Sequence, residues 1–142
     1  MEPKYDAFIR QVNLLDIHLL SVEYEKVANP DPENYSQVEV NYKPKKATYC
    51  QNADRFEVTQ DVSFSVTECK DNNECARKIF TLKAKFVLVY ESKIPMDDEL
   101  FNLFKVRNVP VNVHPYTREL VQNAMSRVGL PPFTMPVLKI KR

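Results

Sequence analysis

Two histidines, three cysteines and one run of carboxylates are the residues of this chain whose types could support catalysis or metal binding. Cys69 and Cys75 bracket the polar stretch Lys70-Asp71-Asn72-Asn73-Glu74 and would face each other across a hairpin, where a disulfide or a metal pair is geometrically conceivable. No two cysteines have CxxC spacing, and both His18 and His114 are far away in sequence, so no zinc site is expected. The rarity of disulfides in reducing compartments makes reduced thiols the expectation. Asp97, Asp98 and Glu99 are adjacent and precede Leu100, Leu103 and Phe104, which is the charge placement of a solvated helix start rather than of a general acid and base. His114 directly precedes Pro115 and reads as a helix-entry residue, while His18 interrupts an apolar run. These groups do not converge, so neither an enzyme, a metal nor a cofactor is expected.

Composition removes further classes. The chain of 142 residues has one glycine, Gly129, where average usage of about 7% would give roughly ten. No P-loop, GxGxxG turn or GxSxG elbow can be written with it. Twenty basic and nineteen acidic side chains leave a formal charge of +1, which gives no global pull on nucleic acid or anionic lipid. Lys43, Lys45 and Lys46 around Pro44, and Lys139, Lys141 and Arg142, read as solvated or edge-protecting lysines rather than a nucleic-acid surface. No apolar run has the length of a signal peptide core or a membrane span, so a cytoplasmic protein without membrane insertion is expected. The length suits a single domain over residues 1–142.

The elements that must position any site follow from periodicity. Residues 56–67 alternate Phe56, Val58, Gln60, Val62, Phe64 and Val66 with polar neighbours, and Phe80, Leu82, Ala84, Phe86, Leu88 and Tyr90 repeat the pattern after a turn-rich tip. The pair predicts a long antiparallel hairpin. Val87 and Val89 make the second face of its second arm apolar as well, so that end should be covered on both sides. Further strands are expected over 14–25 and 38–42, joined by the loop Asn29-Pro30-Asp31-Pro32, with the four strands in sequential order. A short helix is expected within 96–105, inside a crossing segment over 92–114. Pro115 opens the best-marked helix, whose stripe is Tyr116, Leu120, Val121, Ala124, Met125 and Val128, with Thr117 on the outward face and Gly129 as its stop. The apolar, proline-rich stretch 130–138 should lie extended on some surface. The class is α+β: a four-stranded antiparallel sheet with a crossing segment and one long helix near the C-terminus packed on it.

The run His114-Pro115-Tyr116-Thr117-Arg118-Glu119, then Ser126-Arg127, then Leu130-Pro131-Pro132, resembles the helix motif of the SecB family of ATP-independent chaperones. Residues 14–20 are similar to that family's first strand, and the hairpin through Phe86 matches in position. The resemblance implies protomers that assemble as a homotetramer, a dimer of dimers, and that hold unfolded polypeptides in apolar grooves, in export members for delivery to the SecA motor. Asp16 matches a motor contact, whereas Leu20 and Ile79 stand where glutamates would be aligned, and the chain stops soon after the Leu-Pro-Pro run. That pattern is more similar to the SecB-like chaperones of toxin–antitoxin systems, which protect an antitoxin.

The expected function is therefore a nucleotide-independent holdase for unfolded polypeptide or antitoxin clients. The alternative is a dedicated binding protein for one cognate partner such as an antitoxin. The client groove is expected from Val38, Val40 and Tyr42 in the sheet, Phe101, Leu103 and Phe104 in the crossing segment, and Tyr116, Leu120, Phe133 and Met135 in helix and tail. An oligomer interface is expected at Phe80, Leu82, Val87 and Val89.

Overall fold

Among the described residues the elements are α1 (Glu2–Gln11), β1 (Asn13–Lys26), β2 (Gln37–Asn52), β3 (Arg55–Cys69), β4 (Cys75–Glu91), α2 (Asp98–Arg107) and α3 (Val109–Arg127). They belong to a computed structural model that describes residues 2–35, 37–70 and 75–131. The four strands form one antiparallel sheet, and the α+β class expected from the sequence is the class observed.

The strand order is β1-β4-β3-β2, not the sequential order expected. β2, β3 and β4 form a meander, and β1 pairs with β4, as in a Greek key. The physical reason is visible in β4, which carries Val87 and Val89 on the face opposite its Phe86, Leu88 and Tyr90. A strand apolar on both faces belongs inside a sheet. β1 on one side and β3 on the other flank it: His18 and Thr59 stand beside Val87, and Asp16 and Glu57 beside Val89. Val87 is buried and Val89 half-buried.

The even-numbered residues of β3 and β4 face the helices and form the core. Phe56 stacks on Tyr90 at 5.0 Å, and the Phe104 ring of α2 meets Tyr90 edge-on at 5.0 Å and Phe56 at 5.6 Å. Phe8 of α1 closes the group, 5.6 Å from Phe104 and 5.9 Å from Phe56. Asn112 of α3 donates to the Tyr90 hydroxyl at 2.8 Å, and burial holds that phenol above its usual range. One aromatic cluster thus anchors all three helices to the two central strands.

Gln60 is the polar residue in the apolar alternation of β3, and it is fully buried. The register between β2 and β3 slips between Pro44 and Ala47, so β2 bulges at Lys45 and Lys46. The Gln60 amide donates to the Lys45 and Lys46 carbonyls at 3.3 and 3.4 Å. A polar side chain inside the sheet is therefore the answer to the bulge's carbonyls.

The helices depart from expectation in three ways. α1 was not expected, although Tyr5 and Phe8 have the spacing of a buried helical stripe and are both buried. α3 begins at Val109, with Pro110 in its first turn, and Pro115 lies inside it. Pro110 suits a first turn because its missing N–H would have no partner there, and the bond that Pro115 forfeits is the one to Val111, which is exposed. His114 and Thr117 are correspondingly buried on the inner face of α3, not at its entry and on its outward face. α2 starts as its carboxylates suggest: Asp97 caps it by accepting from the Leu100 amide at 2.8 Å.

Cys69 is disulfide-bonded, which corrects the expectation of reduced thiols, and Cys50 is free and exposed.

Gly129 has φ +76° and closes α3: Leu130 donates to the Met125 carbonyl at 3.0 Å and Gly129 to that of Ser126 at 3.1 Å. This is a Schellman closure, which needs a left-handed residue after the cap. A Cβ on Gly129 would meet nothing within 4 Å, so a substitution there feels only the backbone penalty. Gly129→Ala is expected to lower stability by about 1 kcal/mol in urea unfolding; no loss would mean that α3 ends equally well without the closure.

Asp97 also pairs with Lys4 of α1 at 2.7 Å. That bond, followed by the one from the Leu100 amide, holds the Asp97 carboxyl below its ordinary value of 3.8. The folded state takes up this proton less readily than the unfolded chain. Its stabilisation is therefore present above the ordinary carboxyl value and lost as pH falls through the lower folded one. Asp97→Asn, which keeps a capping side chain, is expected to be less stable than the parent near neutrality and to converge with it in strong acid; a gap that does not close would exclude the charge as its cause.

Candidate functional site

β2 is an edge strand, and its first residues rise beyond the cover of the helices. Val38 is 62% exposed and Val40 half-buried, both on the helix side of the sheet. Opposite them the Schellman closure of α3 turns Met125, Leu130 and Pro131 back toward the strand. Between the two runs a groove of about 320 Å³, floored by Val66 and Ile79 and bounded by Pro30 of the β1–β2 connection. Its lining is apolar except for Glu68.

Glu68 is buried and held from two sides. Its carboxylate accepts from Arg77 at 3.1 Å and from the Asp31 amide at 2.9 Å. The second bond ties the connecting loop to the groove wall. Ile79 enters the lining because the β3–β4 register slips between Val66 and Thr67, where Phe80 and Lys78 are the successive partners. Its carbonyl receives the Val27 and Ala28 amides at 2.7 and 3.4 Å.

Farther along β2 the helices close over the strand. The Tyr42 ring meets His114 edge-on at 5.6 Å, and its phenol, hydrogen-bonded with Thr117, is pushed above the usual 10.0 by burial. Tyr49 lies 4.6 Å from Phe101 and donates to Asp98 at 2.7 Å, a bond that raises its phenol to about 12.

Of the residues expected to form the client groove, Val38 and Val40 line it, and Tyr42 stands half-buried on the same strand face. Phe101 and Phe104 do not line it: both are buried in the core, because the crossing segment is helical and turns these rings inward. Leu103 and Leu120 pack half-buried against the core, and Tyr116 is 44% exposed on α3. Phe133 and Met135 lie outside the described residues. The residues that were missed are Val66, Glu68, Ile79, Met125, Leu130, Pro131 and Pro30. The apolar stretch from Leu130, which needed a surface to lie on, was their one sequence signal.

Phe80 and Leu82 are buried beneath the helices, which corrects their assignment to an oligomer interface. Val87 and Val89 lie on the other face of the sheet. There Asp16 is exposed and bonded to His18 Nδ1 at 2.7 Å. A larger hollow of about 690 Å³ opens around Lys83, Lys85, Lys45, Glu23 and Asp61. Val22, Val62 and Ala84 lie among these charges, whereas the smaller groove is apolar except for Glu68 and is the stronger candidate. β1, the other edge, exposes Leu14, Leu15, Leu19, Leu20 and Val22. Among the described residues no group of three His, Cys, Asp or Glu side chains is placed to hold a metal ion, and no helix is long and apolar enough to cross a membrane.

No protein-family profile matches the chain, and no curated protein does. Among solved structures the chain is similar to the SecB-like chaperone Rv1957 of Mycobacterium tuberculosis, solved in complex with a ChAD peptide from the Rv1956 HigA1 antitoxin. The TM-score is 0.80 at 16% identity, over 98% of this chain and 99% of that one. The chain has the SecB-like fold that its helix motif resembles. A protein of unknown function from Streptococcus agalactiae aligns with a TM-score of 0.49 at 11% identity, over 89% and 97% of the two chains.

The separation of core from groove is measurable. Phe104→Ala is expected to cost about 3 to 5 kcal/mol, as a buried aromatic in a packed cluster does. Val38→Ala, at the exposed rim, should stay within about 0.5 kcal/mol. Comparable urea midpoints for the two variants would contradict the assignment.

Proposed function

We propose that the protein is a SecB-like holdase of the cytoplasm, which binds an extended apolar segment of an unfolded polypeptide without nucleotide. The observation that carries this reading is the apolar groove between the exposed start of β2 and the closure of α3. Along it the outer edge of β2 is unpaired among the described residues. A client strand gains side-chain burial in such a groove and main-chain bonds from such an edge. The basic, proline-containing bulge at Lys43 to Lys46 disfavours pairing farther along the strand, which leaves the groove end as the receptive part.

Binding the unfolded chain and not the native one shifts the client's equilibrium by mass action. A segment burying about 400 Å² of apolar surface gains on the order of 10 kcal/mol before ordering and association costs offset most of it. One groove is thus a modest site. Assembly as a dimer of dimers belongs to the same proposal, since several grooves on one particle raise the affinity for one long chain through effective concentration. The exposed leucines of the β1 edge support assembly. Delivery to the SecA motor, with Asp16 as a contact, is the export form of this reading.

A second reading is favoured by the fold neighbour, which was solved with an antitoxin peptide. In it the groove serves one cognate antitoxin and not unfolded chains in general. Light scattering of an unrelated, chemically unfolded protein diluted into buffer with this one separates the two. Suppressed aggregation is expected, and unchanged aggregation would leave the dedicated partner. Val38→Asp should weaken suppression by about tenfold, the equivalent of burying one valine fewer, with the far-UV circular dichroism unchanged; full suppression by this variant would place the client elsewhere.

A further inference from the structure

Glu68, the charged residue of the groove lining, has its partners in Arg77 and the Asp31 amide. Arg118 of α3 is different: it is half-buried, and its Nε is buried with no hydrogen-bond partner among the described residues. We propose that Arg118 is a specificity-determining residue of the groove, donating to the carboxylate of a client aspartate or glutamate that stands beside the apolar side chains the groove buries. The proposal rests on the reading of the groove given above.

The place of Arg118 follows from the contacts on either side of it. Met125 lines the groove, and His114 meets the Tyr42 ring at 5.6 Å. Arg118 lies four residues after His114 and seven before Met125, spacings that put all three on one face of α3. Thr117, its neighbour, is hydrogen-bonded with the Tyr42 phenol. On β2 the row facing the helices runs Val38, Val40, Tyr42, so α3 from Met125 back to His114 runs alongside that row toward Tyr42. Arg118 thus stands where the apolar groove gives way to the closed part of the sheet.

α3 offers the guanidinium no ion pair. The residues three and four positions away are His114, Pro115, Val121 and Gln122, none of them a carboxylate. Glu119 is exposed, and adjacent helical residues do not face each other. A buried donor on a permanently charged group is costly to leave unpaired, and a carboxylate placed there removes that cost and adds a charge-assisted bond. Nε is one prong of the fork with which arginine grips a carboxylate, a geometry that lysine does not reproduce. A client strand laid along β2 presents alternate residues to the helix side. With apolar residues at Val38 and Val40, its next residue on that face comes level with Tyr42, and so with Arg118. Lys43, Lys45 and Lys46 follow on β2 and add positive charge at the same end. The selected client is an extended segment with two apolar residues and one acidic residue at alternate positions.

The test measures the affinity of the full chain for two synthetic peptides with capped termini, Glu-Thr-Leu-Thr-Leu-Thr-Glu and the same peptide with glutamine in place of both glutamates. Carboxylates at both ends make the result independent of strand direction. The parent is expected to bind the glutamate peptide about tenfold more tightly, the scale of one charge-assisted bond. Arg118→Gln should bind both peptides equally, at about the parent's affinity for the glutamine peptide, and Arg118→Lys should keep only part of the preference. Both variants are expected to retain a cooperative urea transition. No preference in the parent, or a preference that Arg118→Gln leaves intact, would overturn the role of Arg118, while binding of the glutamine peptide would still uphold the groove. A parent that binds neither peptide would overturn the reading of the groove, and the proposal with it.

Discussion

The packing of Phe104 against the Phe56–Tyr90 stack is the contact on which the rest of the architecture depends. It joins α2 to the two central strands, takes in Phe8 of α1, and through the Tyr90 hydroxyl reaches Asn112 of α3. Edge-on and stacked rings prefer defined angles, so this cluster fixes the helices in position as well as burying area. With the helices held there, one sheet face is covered over its middle. What remains uncovered lies at the two edges.

The two edges are treated differently by the sequence. β2 has lysines, a proline and a bulge at its middle, with Gln60 turned inward to satisfy the bulge. Those features discourage pairing with a stray strand, yet they stop short of Val38 and Val40. β1 has two bulges and a row of exposed leucines, and the hydrogen bond between Asp16 and His18 lies on the face away from the helices. A protein that used neither edge would be expected to protect both. The open end of β2 lies against the apolar groove, and the β1 edge leaves its leucines exposed.

Several features of the fold were legible in the sequence because they depend on neighbours a few residues apart. The β3–β4 hairpin is written in an unbroken period of two, and the end of α3 in a lone glycine that must adopt positive φ. The acidic start of α2 was also readable, since a helix N-terminus attracts carboxylates whatever the fold. α1 was not read, because its buried residues Tyr5 and Phe8 stand among charged neighbours in a short segment, and Phe8 finds its partners at Phe56 and Phe104, far along the chain. For the groove, Val38 and Val40 were legible as an apolar strand face, whereas Ile79 was not. Only a register slip in β3–β4 brings it into the lining.

The sequence by itself determined the class of fold, the hairpin, the two ends of the helical region and the absence of glycine-dependent phosphate loops, because each is set by local stereochemistry and periodicity. The tertiary structure alone decided that β1 joins β4, that Phe101, Phe104, Phe80 and Leu82 are core, and that Met125 and Leu130 face Val38. An apolar side chain has the same local pattern whether it fills a core or lines a groove. Which of the two it does depends on how far the neighbouring helix extends over the sheet, and that is set by packing between residues distant in the chain.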